Sequence, residues 1–279
     1  MGNKGRILVV GFVLILLALF AWQVMRPREP IYEGKSLSVW LEAYYPTTNQ
    51  VSDSFEQFKA NGAIKHAGTN AIPILLKMMR FKNRPLQDNI AFRLKALGLS
   101  RVGYVHSSVK YVAAAMAFKC LGPQAKEAVP ELIKIYDENL SGLSQSLVAQ
   151  ILGDIGPASQ ETIPTLIRML KNPSASVRNS AIVALARIHQ EPETVVPVLI
   201  KAVDDPDRMV RHAAVGALES FGGRRAKAAI PKLLELRKSD DSTLSDRAER
   251  LLRKMDPAAV REAETKMDKS NLKAADVDH

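Results

Sequence analysis

The apolar positions of this chain fall into two regimes. From Ile7 to Val24 they run almost unbroken for 18 residues, with no charge and only Gly11 and Gln23 interrupting. A helix of that length rises about 27 Å at ~1.5 Å per residue, close to the hydrocarbon thickness of a bilayer. A cleavable signal has a shorter core and a small-x-small site. Here Leu19 occupies one of the small positions, so the run predicts an uncleaved anchor. From Phe55 onwards the apolar residues recur with helical spacing instead.

Within that second regime one phrase is repeated five times. It begins at Ile72-Pro73, Val129-Pro130, Ile163-Pro164, Val196-Pro197 and Ile230-Pro231, with apolar residues two and three places after each proline. The last four prolines are 34, 33 and 34 residues apart, a period that marks a stacked-repeat architecture. Proline suits the first turn of a helix, where its missing N–H costs no bond, so each phrase predicts a helix start. An alanine-rich first helix precedes each phrase, with turns near Gly68, Gly122, Gly156, His189 and Gly222. Small residues at helical spacing, as in Ala181, Ala184, Ala214 and Ala217, let two helices approach closely. Asn172-Pro173 and Asp205-Pro206 break the chain between units.

The flanks read differently. Residues 1–25 form a short tail and the anchor. Residues 26–54 hold an extended linker, then a short helix capped by Ser36 or Ser38 with Leu37, Trp40, Leu41 and Tyr44 on its apolar side, suited to covering the open end of the array. The repeats occupy 55–256. From Pro73 to Pro130 is 57 residues, longer than any other interval, so an insertion interrupts the array at about 80–108. It includes a predicted helix over Pro85–Leu97. Residues 257–279 make a closing helix whose tail is expected to fray from Lys269.

The net charge of +10 is concentrated in two places. One is the region around the anchor. The other is 77–110, where Lys77, Arg80, Lys82, Arg84, Arg93, Lys95, Arg101 and Lys110 face Asp88 alone. The remainder is balanced. Four second helices also carry a base at one equivalent site, Lys77, Lys134, Arg168 and Lys201, with Glu235 breaking the row. These two groups are the candidate partner-binding residues, and an acidic protein partner is what they imply. Nucleic acid or another polyanion bound by the insertion is the alternative.

Asp-Pro-x-x-x-Val-Arg-x-x-Ala-x-x-Ala-Leu, read at Asp205 to Leu218 and followed by Ile/Val-Pro-x-Leu, resembles the HEAT repeat family. The opening Tyr32-x-Gly34-Lys35-x-Leu37-x-x-Trp40-Leu41 is similar to the start of membrane-anchored HEAT proteins of some bacterial groups. The resemblance implies an all-α superhelix of five to six hairpin units behind a transmembrane helix. It also implies an inter-repeat ladder of Asp and Arg, with Asp205 or Asp207 tied to Arg211, and Arg178 turning to Asn172 or the preceding unit.

Catalytic chemistry is missing from the motifs. There is no His-Glu-x-x-His, no Cys-x-x-Cys, no Gly-x-Ser-x-Gly and no glycine-rich phosphate loop. The paired His-Glu dipeptides of HEAT-family hydroxylases do not occur either, and Cys120 falls on an apolar helix face. No catalytic residue, metal ligand, cofactor or small-molecule substrate is inferred. The expectation is a non-catalytic, membrane-anchored scaffold with its solenoid outside the cytoplasm, and a HEAT-like lyase is the enzymatic alternative.

Overall fold

The computed structural model describes residues 29–44, 54–81, 107–157, 161–255 and 257–275. The apolar run at 7–24 lies outside the described residues, as do Lys82, Arg84, Arg93, Lys95, Arg101 and the helix expected over Pro85–Leu97. Among the described residues, no helix is long and apolar enough to cross a membrane.

The described chain opens on a two-stranded antiparallel ribbon, β1 (Ile31–Tyr32) and β2 (Lys35–Ser36), where the sequence suggested an extended linker. Glu33 and Gly34 both have positive φ, 47° and 74°, which is what the tightest hairpin turn requires. Helix α1 (Leu37–Leu41) follows and buries Leu37, Trp40 and Leu41. Neither candidate serine caps it through its side chain. The Glu29 carboxylate accepts from Ser38 N instead, and Pro30 O accepts from Leu37 N. The Trp40 indole donates to Tyr32 O at 2.9 Å, fixing the ribbon to the helix.

Among the described residues the rest is six helical hairpins stacked in sequence. Their first helices are α2 (Ser54–Ala67), α4 (Ser107–Leu121), α6 (Gly142–Ile155), α8 (Ala175–Ile188), α10 (Arg208–Arg225) and α12 (Ser242–Arg253). Their second helices are α3 (Ile72–Met79), α5 (Val129–Asp137), α7 (Thr162–Met169), α9 (Pro192–Ala202), α11 (Ile230–Leu236) and α13 (Pro257–Ala275). In each repeated phrase the residue before proline is buried, as are Leu75, Leu132, Leu166, Leu199 and Leu233, which follow the prolines by two places. Proline itself stays on the surface. The fourth unit departs from the pattern. Its second helix starts at Pro192, four residues before the phrase begins at Val196, and carries Pro197 inside its second turn. At the far end α13 continues past Lys269 to Ala275, in a stretch rich in good helix formers.

The turns of the first five hairpins all pass through the left-handed region, the fifth at Gly222, where the span given for α10 breaks out of helix. Gly68, Gly122, Gly156 and Gly222 have φ of 53°, 53°, 83° and 76°, and His189 adopts 53° in the same place. Histidine is strained there. Its ring stacks on Phe221 of the next unit, with centroids 4.7 Å apart.

The core is one continuous apolar cluster, and polar ties join successive units along its edge. At equivalent positions Gln145, Arg178, Arg211 and Ser245 each donate to main-chain carbonyls of the segment before their own helix, Gln145 to the end of α5 and the others to the connecting loop. Arg178 also reaches forward. Its guanidinium makes two bonds to the Asp205 carboxylate, at 2.7 and 2.8 Å, and both side chains are nearly buried. The ladder therefore runs from Arg178 to the following unit, whereas Arg211 holds the carbonyls of Asp205 and Pro206. Among the described residues Asp207 ties no arginine, and it caps α10 through Met209 N and Val210 N. The next rung is Asp241, which caps α12 through Leu244 N and accepts from Arg208 at 3.0 Å. His212 Nε2 lies 3.1 Å from the same carboxylate. One step back the rung is neutral: Asn172 joins the Tyr136 hydroxyl to Gln145.

These rungs make stability sensitive to acid. Arg178 holds the Asp205 carboxyl below its usual range, and Arg208, seconded by His212, does so more strongly for Asp241. A carboxylate depressed on folding stabilises above its unfolded pKa, ~3.9, and that contribution is lost as pH falls towards its folded value. Thermal midpoints should be level between pH ~7 and ~5 and fall steeply below ~4. The double variant Asp205→Asn/Asp241→Asn should start lower and show a flatter acid limb. An unchanged acid limb would place the acid lability elsewhere.

Candidate binding surfaces

The second helices turn one side to solvent, and all four bases of the repeated row lie on it. Lys77, Lys134, Arg168 and Lys201 are exposed. They are not equivalent in charge. Lys134 Nζ sits 2.6 Å from Glu131, three residues back on its own helix. Arg168 reaches Asp137 of the preceding unit at 2.8 Å, with its guanidinium 5.2 Å from the Tyr136 ring centre. Lys77 and Lys201 have no ionic partner among the described residues, so the row is two free cations separated by two tied ones.

Arg80, at the edge of the insertion, is engaged within the fold. Its guanidinium binds Glu131 at 2.8 Å and Glu138 at 2.9 Å, linking the first unit to the second. Lys134 and Arg80 together hold the Glu131 carboxyl below its ordinary range. Two of the expected partner-binding residues, Arg80 and Arg168, thus serve first as ties between units. Beside them, the Lys110 ammonium lies 3.3 Å over the Phe81 ring. The other insertion bases lie outside the described residues.

A second surface was not anticipated. Between α2, α4 and the N-terminal ribbon lies an open cleft of about 740 Å³. Its floor is set by Tyr44, whose hydroxyl donates to Asn61 Oδ1 at 2.5 Å, and by Cys120, whose thiol is 3.7 Å from Asn61 O. Burial pushes the Tyr44 hydroxyl and the Cys120 thiol above their usual pKa ranges, so both stay protonated at neutral pH. The rim combines apolar and basic groups. Phe58 is 73% exposed and Met116 48% exposed, with Lys59, Lys65 and Lys119 around them. Lys59 is 3.4 Å from Glu33, the cleft's one carboxylate among its described lining. A signal for this surface exists in the sequence. The buried stripe of α2 is Ala60, Ala63, Ile64 and Ala67, and Phe55 and Phe58 fall off it.

Among the described residues no cluster of His, Cys, Asp or Glu could hold a metal ion.

Comparison with known proteins places part of this chain. Residues 189–253 match the family model for HEAT repeats. No curated protein matches. Among solved structures, one engineered protein is 19% identical, over 81% of this chain and 97% of its own, with a TM-score of 0.46. A second engineered protein is 17% identical, over 83% and 82%, with a TM-score of 0.39. The complex of CpcE and CpcF of phycocyanin lyase from Nostoc sp. PCC7120 is 21% identical, over 86% and 97%, with a TM-score of 0.33.

Proposed function

Starting from a chain whose residues 189–253 are HEAT repeats and whose other hairpins stack in the same way, we propose a membrane-anchored scaffold that binds another protein and catalyses nothing. The observation that carries this reading is the outer row of the second helices. It recurs in four successive units, with Glu235 ending it in the next, and it leaves Lys77 and Lys201 exposed without an ionic partner among the described residues. The insertion adds five further bases, Lys82, Arg84, Arg93, Lys95 and Arg101. The partner is therefore acidic, and it binds close by, because unscreened attraction reaches only about 10 Å at ~0.1 M salt. The uncharged run at 7–24 supports an anchor, and the long domain behind a short basic tail supports an exported solenoid.

The test is crosslinking capture from carbonate-washed membranes with the full-length chain. Arg80 is left untouched, since reversing it would break its two ion pairs in the fold. Changing Lys82, Arg84, Arg93 and Lys95 to Glu should leave helicity intact and weaken capture about tenfold or more at low salt, because long-range charge chiefly governs encounter. Lys77→Glu/Lys201→Glu examines the second-helix row separately. Full capture by both variants at low salt would defeat the reading of an acidic partner.

A further inference from the structure

Among the described residues, six of the eight large exposed apolar side chains precede residue 117: Ile31, Val39, Phe55, Phe58, Val112 and Met116. Among the described residues, the four later units contribute only Leu143 and Met209. The excess therefore belongs to one end of the array. Val112 and Met116 stand one turn apart on α4, and Met116 shares the cleft rim with Phe58. Lys65 and Lys119 lie on that same rim, and neither has an ionic partner among the described residues.

Chain length says where this end must be. Four residues, Met25 to Arg28, separate the apolar run from Glu29. An extended residue spans at most ~3.6 Å, so Glu29 lies within about 18 Å of the run's end. Tyr32, three residues on, already lines the cleft. Whatever holds residues 7–24 therefore holds the α2–α4 face close by. Aromatic and apolar side chains ringed by lysine suit the boundary between headgroups and acyl chains, where the ring enters and the ammonium meets phosphate.

We propose that the α2–α4 face, with Phe58, Val112 and Met116 inserted and Lys65 and Lys119 on headgroup phosphates, rests on an anionic phospholipid surface. The inference stands on the anchor reading above. It adds an orientation, in which the first two units lie against the bilayer and the later units project from it.

The experiment uses the full-length chain with Cys120→Ala, reconstituted in vesicles of mixed zwitterionic and anionic phospholipid. A bimane fluorophore is placed at Phe58→Cys or, as the distant control, at Met209→Cys; both positions are largely exposed, so neither substitution disturbs the core. Lipids carrying a shallow nitroxide should quench the fluorophore at position 58 roughly twofold or more relative to position 209, as expected of a side chain in the interfacial layer. Lys65→Glu/Lys119→Glu should reduce that difference. Equal lipid quenching at both positions, in protein that stays with carbonate-washed vesicles, overturns the proposal and leaves the anchor standing. Protection of position 58 from aqueous iodide without lipid quenching also overturns it and assigns the face to a protein, either a partner or a second copy. Protein that washes off the vesicles overturns the anchor reading and the orientation together.

Discussion

Replacing Gly153 with leucine is expected to lower stability by about 3 kcal/mol or more, and even alanine should cost about 1–2. A Cβ at this position would sit 2.8 Å from both Cα and Cβ of Ala184 on α8, so the added methyl meets main chain that cannot swing aside. Alanine is the better helix former by about 1 kcal/mol, and that gain offsets only part of the overpacking. Gly216 gives the contrast. Its Cβ would come within 3.4 Å of Arg247 Nη1, the movable end of a long side chain. Gly216→Ala should be neutral or stabilising by up to ~1 kcal/mol. For a chain of this size, 1 kcal/mol moves the thermal midpoint by roughly 2–4 °C, so the two alanine variants should shift in opposite directions. If both shift upwards, α6 and α8 do not approach as closely as described.

Removing the Asp205 carboxylate is the second large effect. Asp205→Ala leaves the Arg178 guanidinium, 12% exposed, without its paired carboxylate, and it strips Asp207 N of its acceptor. Breaking a buried pair from one side costs about 3 kcal/mol, whereas exposed pairs are worth under ~1. Arg178→Met/Asp205→Ala should recover most of the loss, since no buried charge is then stranded. Urea unfolding of the two single variants and the double variant decides it. A cost below ~1 kcal/mol for Asp205→Ala alone would make the bridge a surface contact in energy as well as in name.

Much of the fold was legible because repetition lets each unit corroborate the next. Pro130, Pro164 and Pro231 mark helix starts by their shared period, and four glycines and His189 fall at one turn whose backbone needs positive φ. Pro197 shows the limit. The phrase is intact, but Pro192 offers an earlier start, and local sequence does not say which proline the helix uses. Arg178 does turn to Asn172, through the main-chain oxygen, but its further reach to Asp205 was not readable, for a related reason. Spacing places Arg178 and Arg211 in equivalent positions, while the direction of reach, forward to the next loop or back to the preceding one, depends on the rise between stacked helices. No motif marks His212 in the sequence, and only stacking brings it to Asp241. Of the candidate surfaces, exposure of the basic row was readable, but its neutralisation by Glu131 and Asp137 was not. The α2–α4 cleft is assembled from elements separated along the chain, and Phe55 and Phe58, lying off the buried stripe, were its one trace in the linear pattern.

The joints between units differ in chemistry, and this divides the molecule by its response to solvent. Where α6 meets α8, contact depends on Gly153 against Ala184 and on the neutral Asn172, Gln145 and Tyr136 rung, with the Arg187–Asp154 pair outside them. The joints on either side are fastened by Arg80, Arg168, Arg178 and Arg208 to carboxylates. Salt and acid loosen the second kind of fastening and leave shape and neutral hydrogen bonds alone. The outer joints therefore answer to acid, and to salt where their pairs are exposed, while the α6–α8 joint rests chiefly on shape and neutral hydrogen bonds.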